Sequence, residues 1–180
     1  EALEKTNADG LFINPVIGSK KKGDFLSTAI MKSYELLLEN GFYPKEQVVL
    51  GSLFTYSRYA GPREAVFTAL CRKNMGCDFF IVGRDHTGVG GYYSEHSSQH
   101  LFEAIGDIGI TPVYFNTIGF DPNNKKYVSL NSSDKVEAVS GTRLRESLLD
   151  GKMIPDWLIR RPIQEMLISD LKMGNQIFHD

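Results

Sequence analysis

Short apolar runs alternate along this chain with longer stretches in which apolar residues recur every three or four positions. Runs of the first kind predict strands and stretches of the second predict amphipathic helices. Their alternation predicts an α/β protein built on a mostly parallel sheet. The first strand is expected over residues 10–16. Asp24 is expected to cap a helix reaching Asn40, with Leu26, Ile30, Leu37 and Leu38 near one face and Gly41 in the left-handed position that ends it. Residues 48–50 predict the next buried strand. Pro62 suits the first turn of a helix running to about Met75, with Val66, Ala69 and Leu70 inward. Residues 78–82 are the strongest strand signal. A helix is expected from about Glu95 to Asp107, presenting Leu101, Phe102 and Ile105, then strands at 111–115 and 127–130 on either side of a turn at 121–124. From Gly141 the pattern predicts three short helical pieces broken by Gly151, Pro155 and Pro162. No internal repeat and no low-complexity segment is present. Residues 1–5 read as the tail of a helix already under way, so the chain is expected to be a fragment of a longer protein.

Composition narrows the class. A chain of 180 residues with 42% hydrophobic and 23% charged residues suits one ordinary globular domain. A net charge of −2 and a pI near 6.1 argue against binding nucleic acid through a broad electrostatic surface. The run Lys20, Lys21, Lys22 reads as a solvated basic loop. No apolar run reaches bilayer length and no signal peptide is visible, which gives a cytoplasmic reading with no membrane partner. Cys71 and Cys77 make neither a disulfide framework nor the paired spacing of structural zinc.

The segment from Ile81 to Gly91 follows the strongest strand directly, and carries glycine at 83, 88, 90 and 91 around Arg84, Asp85 and His86. In open parallel sheets ligands bind where such loops leave the strands' carboxyl ends. Glycine lets backbone N–H groups approach an anion, Arg84 offers a planar cationic fork, and Asp85 and His86 add an acceptor and a tunable donor. A glycine-rich loop alone often just turns the chain. Functional side chains set among these glycines favour an anion site.

Residues 83–88, Gly-Arg-Asp-His-Thr-Gly, resemble the Gly-Arg-Asp-His-Ala-Gly motif of the ATP sulfurylase family, with Thr87 in place of Ala. Residues 58–65, Arg-Tyr-Ala-Gly-Pro-Arg-Glu-Ala, are similar to a second family motif, with Ser57 where Met is usual. Residues 140–145 resemble a third, Ser-Gly-Thr-x-x-Arg, with Arg145 as its arginine. Asn14 to Gly18 followed by Lys22, Gly23 and Asp24 complete the resemblance, which runs from about residue 1 to residue 167. It implies a Rossmann-like nucleotidylyltransferase fold lacking its first strand, over residues 1–140, with a small helical C-terminal region of the same catalytic unit over 141–180. The implied reaction joins sulfate to the α-phosphate of ATP, giving adenylyl sulfate and pyrophosphate, in sulfate assimilation or sulfur metabolism. Gly83, Arg84, Asp85, His86 and Ile118 would contact ATP, which enters with Mg2+ as the substrate complex. The backbone N–H of Thr87 would contact sulfate, and Phe115 corresponds to an aromatic whose movement is linked to ATP binding. Self-association into a homo-oligomer stays open.

The family's Gln-x-Arg-Asn-Pro-x-His-x-x-His motif, which holds sulfate and stabilises pyrophosphate, is absent from this sequence. No catalytic residue is therefore expected within the span, which alone should be inactive. His96 and His100 are spaced i, i+4 with Glu103 one turn on; a solvated helix face is preferred over a metal site, and neither a bound metal nor structural zinc is expected. Tyr92 and Tyr93 suit packing or loop anchoring. Two alternatives remain: a non-catalytic nucleotide-binding module, and an adenylyltransferase with another acceptor.

Overall fold

The computed structural model describes residues 1–83, 86, 91–115, 118–129 and 141–180, with the side chains of Lys45, Ile118 and Ser129 left out. In chain order the elements are α1 (Ala2–Thr6), β1 (Leu11–Ile13), α2 (Ser27–Glu39), β2 (Val48–Leu50), α3 (Pro62–Asn74) and β3 (Phe79–Val82). They continue with α4 (Ser97–Ile105), β4 (Thr111–Tyr114), β5 (Ile118–Asp121), β6 (Lys126–Ser129), α5 (Gly141–Leu149) and α6 (Arg161–Lys172). The architecture is α/β, with parallel strand pairs and helices, as the alternation predicted. The chain forms two compact units, one of Glu1–Asp9 and Arg58–Thr117, the other of Gly10–Ser57 and Ile118–Asp180.

In the first unit β3 and β4 pair in parallel, from Phe79 opposite Thr111 to Val82 opposite Tyr114. Val82, Ala65, Ala69, Phe102 and Ile110 form its core. Pro62 opens α3 as expected, but the buried face differs from the one the apolar pattern suggested. It consists of Glu64, Ala65, Thr68, Ala69 and Arg72, while Leu70 is exposed. Small residues at 65 and 69 fill this tightly buried face, and the buried polar groups are satisfied by backbone partners, so the larger Leu70 turns out. Ile105 is likewise exposed, leaving Phe102 as the buried residue of α4 on the apolar side. The strongest predicted strand is covered on one face only: Phe79 and Ile81 are 38% and 43% exposed, because alternation sends Phe80 and Val82 toward the helices.

In the second unit β1 and β2 pair in parallel, Leu11 opposite Val48, and a parallel bridge joins Val16 to Leu53. Val49 faces outward, so this strand too is covered on one side. Gly18 lies so close to this second segment that a Cβ would stand 1.9 Å from the Thr55 carbonyl oxygen, and no side chain fits there. Helix α2 ends as predicted. Gly41 has φ +70°, its N–H donates to the Leu38 carbonyl at 3.1 Å, and the Phe42 N–H reaches the Leu37 carbonyl at 3.0 Å.

Its other end corrects the sequence reading: Asp24 does not cap α2. Leu26 holds the N-cap position with no side-chain hydrogen bond. The Leu26 N–H donates to the Ile177 carbonyl, and the Asp24 carbonyl accepts the His179 N–H, both at 2.8 Å. The C-terminal residues therefore pair with the peptide groups ahead of α2, a contact too distant in sequence for a local cap rule to anticipate.

Strands β5 and β6 form an antiparallel hairpin in which only the second strand was expected. Its turn is tied by Asp121, whose carboxylate accepts the Asn123 and Asn124 amides and the Asn124 side chain. Pro162 opens α6 rather than interrupting a helix. Helices α2, α5 and α6 enclose a core of Ala29, Leu37, Leu144, Leu148, Ile163, Leu167, Ile168 and Ile177.

Candidate functional site

The glycine loop leaves the carboxyl end of β3 at Gly83, which is exposed and has no described atom within 4 Å of where a Cβ would stand. Three residues on, His86 folds back so that its Nδ1 accepts the Gly83 N–H at 3.3 Å. That contact leaves the ring proton on Nε2. Phe80 of β3 meets the imidazole edge-on, with centroids 5.3 Å apart. Burial lowers the His86 pKa from its ordinary value; the positive charge of Arg72 lowers it further and Glu64 opposes both. At neutral pH His86 is thus an uncharged ring whose proton sits on Nε2.

Beneath it, α3 carries two buried ionic side chains that the apolar pattern had hidden. Glu64 is 3% exposed and grips the segment before the helix: its Oε1 accepts the Arg58 N–H at 2.9 Å and its Oε2 the Ala60 N–H at 3.0 Å. This is the logic of a capping box extended upstream, with a glutamate at the third helical position reaching back to free amides. Between those two amides Tyr59 adopts φ +52°, unusual for a residue with a Cβ. Gly61 follows at φ +54°, and a Cβ there would lie 2.4 Å from the Tyr93 ring. The Arg58 guanidinium lies 4.7 Å over the Phe67 ring. Arg72 donates to the Thr68 carbonyl and supplies the charge felt by His86. The signal that could have found them was Glu64 and Arg72 two turns apart, on the same face as Ala65 and Ala69.

Phe115 directly follows β4, within reach of Lys5 of α1. Lys5 Nζ donates to the Tyr114 carbonyl at 2.7 Å and sits 4.8 Å over the Phe115 ring. Ile118 begins β5, its side chain outside the description. Arg84, Asp85 and Thr87 lie outside the described residues, as does Ser140. In the other unit Arg145 stands on α5, 3.5 Å from the Thr142 hydroxyl, and its Nε is 3.6 Å from where a Gly23 Cβ would stand. Two motifs distant in sequence, Lys22-Gly23-Asp24 and Thr142 to Arg145, thus meet. His96 is not on a helix with His100 but precedes α4 in a left-handed conformation. Among the described residues no cluster of three His, Cys, Asp or Glu could hold a metal, and no helix is long and apolar enough to cross a membrane.

Parallel strand pairs with helices, and a histidine that folds back on the carboxyl end of β3, place the chain among α/β proteins. The chain belongs to the ATP-sulfurylase family, whose model matches residues 1–170. Sulfate adenylyltransferases of Ignicoccus hospitalis and Thermococcus onnurineus are 41% and 42% identical to it, over 91% of this chain and 44% of their own length. That of Trichormus variabilis is 41% identical over 96% of this chain and 45% of its own. The chain thus spans less than half the length of these relatives. The hexameric APS kinase from Thiobacillus denitrificans shares the fold, with a TM-score of 0.68 at 15% identity over 97% of this chain and 32% of that one.

Proposed function

We propose that this chain is the nucleotide-binding part of a sulfate adenylyltransferase, which converts ATP and sulfate to adenylyl sulfate and pyrophosphate. The observation that carries the reading is the family match across residues 1–170, together with relatives of that name at about 40% identity. A sulfate oxygen attacks the α-phosphorus in line, a new P–O bond forms, and the bond to the bridging oxygen of the β-phosphate breaks, with pyrophosphate leaving on Mg2+ brought in with ATP. Such a reaction needs no covalent enzyme intermediate; it needs position and charge.

Gly83, Arg84, Asp85, His86 and Ile118 take ATP in this proposal. The neutral ring of His86 supports it, because an Nε2 donor recognises a phosphate oxygen without placing a second full cation beside Arg84. Thr87 offers its backbone N–H to sulfate. Phe115 moves with nucleotide binding, and the contact of its ring with Lys5 suits a residue that must be held in one position before it shifts. We keep residues 1–140 and 141–180 as parts of one catalytic unit, without structural zinc, working in the cytoplasm and in sulfate assimilation.

Replacing Arg84 by Ala in the longer polypeptide that carries this span tests the loop. Loss of a charge-assisted contact worth about 1.5–3 kcal/mol lowers steady-state pyrophosphate release roughly 10- to 100-fold. A rate near that of the wild type, with the fold intact by circular dichroism, removes the loop from the site.

A further inference from the structure

A cavity of about 530 Å³ lies within the second unit. Its floor is apolar, from Ala29, Leu37, Ile163 and Leu167 of α2 and α6. Its walls are aromatic: Tyr34, Tyr43, Tyr127 and Trp157. Trp157 is the chain's single tryptophan and is fixed from behind, stacked on Phe120 with centroids 4.8 Å apart and planes 3° apart. Tyr127 donates its hydroxyl to the Trp157 carbonyl and is thereby spoken for.

Tyr34 and Tyr43 are not. Neither phenol hydrogen-bonds to any described residue, although both face the cavity. Burial raises the Tyr34 pKa from its ordinary value, and the neighbouring Tyr43 phenol raises it further, so Tyr34 keeps its proton to donate. The cavity is lined by one carboxylate, Asp156, and one guanidinium, Arg160, so its lining charges sum to zero. Asp156 receives Arg161 Nε at 3.3 Å, and the Arg160 guanidinium lies 5.0 Å over the Phe42 ring. A site with apolar floor, aromatic walls, two idle phenol donors and lining charges that cancel favours an uncharged aromatic molecule over a nucleotide or an oxyanion.

We propose that this cavity binds a small, uncharged, flat aromatic molecule bearing a hydrogen-bond acceptor, such as an aromatic ketone, which the Tyr34 and Tyr43 hydroxyls recognise. Its volume falls within the roughly 300–1,000 Å³ usual for small-molecule sites. The site is chemically the opposite of the glycine loop and independent of the adenylyl-transfer reading.

The test uses the 180-residue chain with 2-acetylnaphthalene and 2-naphthoate, which share a ring system and differ in charge. Saturation-transfer NMR should show the ketone bound and the carboxylate at least tenfold weaker, and the Trp157 indole N–H should shift in the wild-type protein. The Tyr34→Phe, Tyr43→Phe pair should weaken the ketone about tenfold, while Ala29→Phe, which fills the floor, should abolish binding. Three results overturn the proposal: no ketone binding, equal binding of the carboxylate, or affinity unmoved in the folded double variant. Should that variant not fold, an unshifted Trp157 indole in the wild type overturns it. Ketone binding that declines as protein concentration rises names a second copy as the occupant, and overturns it as well.

Discussion

His86 keeps its proton count low for a physical reason that can be measured. Its ring is half-buried against Phe80 and feels the Arg72 charge, so the folded chain resists protonating it and the unfolded chain does not. The unfolded state therefore binds the proton more readily below the ordinary value of 6.5. The stabilisation is complete above that value and is lost as pH falls through it toward the depressed folded pKa. Urea midpoints at pH 7.5, 6.5 and 5.5 should fall further in the wild type than in His86→Gln, whose side chain does not titrate. Parallel curves would refute the burial argument. Gly61 makes a second residue-scale case. With φ +54° and the Tyr93 ring 2.4 Å from a notional Cβ, Gly61→Ala should lose about 1–3 kcal/mol from backbone strain alone, and more if the ring cannot move. Thermal unfolding of the two proteins would show it. Both residues stood out in the sequence because they sit in short motifs. Arg72 did not, since an arginine on a helix ordinarily faces water.

Elements were legible where a local residue controls them. Gly41 ends α2 and Pro62 starts α3 because a left-handed turn and a fixed φ are properties of single residues. The buried face of α3 was not legible, because the core takes Glu64 and Arg72 and rejects Leu70. Strand β5 escaped because its four residues include a glycine and gain strand character only by pairing with β6. The start of α2 escaped because its partners are residues 177–179. One brace shows how far such non-local control goes. Gln164 of α6 is fully buried; its Oε1 accepts the Ile154 N–H at 2.8 Å, and its Nε2 donates to the Ile154 and Ile159 carbonyls. It therefore holds the loop that presents Asp156 and Trp157. Gln164→Leu keeps the volume and leaves those backbone groups without partners, at a cost of about 1–3 kcal/mol for each left buried. A urea midpoint shift should accompany a red shift in Trp157 emission; an unchanged midpoint would show that water replaces the amide without penalty.

At the scale of the whole molecule, family and fold were readable before any geometry, because four motifs in order identify them, whereas how the side chains of a site are brought together was not. If the loop positions a triphosphate as proposed, in-line transfer still needs donors on the pyrophosphate as negative charge develops there. The family's Gln-x-Arg-Asn-Pro-x-His-x-x-His motif would provide them, and the sequence in hand has no copy. Removing a single preorganised donor of this kind costs about 10²–10³ in turnover. Two missing histidines should therefore cost roughly 10⁴-fold or more, before the loss of the sulfate-holding Gln and Arg is counted. The 180-residue chain should accordingly show no sulfate-dependent release of pyrophosphate above background, while a polypeptide that also carries the motif turns over. Nucleotide binding separates an absent site from an incomplete one. If the loop is formed, the chain alone should bind ATP weakly, and Arg84→Ala should remove that binding without changing thermal stability. Sulfate-dependent turnover by the chain alone, within tenfold of the longer polypeptide, would mean that the leaving group is stabilised from within residues 1–180. His86 and Arg145 would then be the first residues to replace.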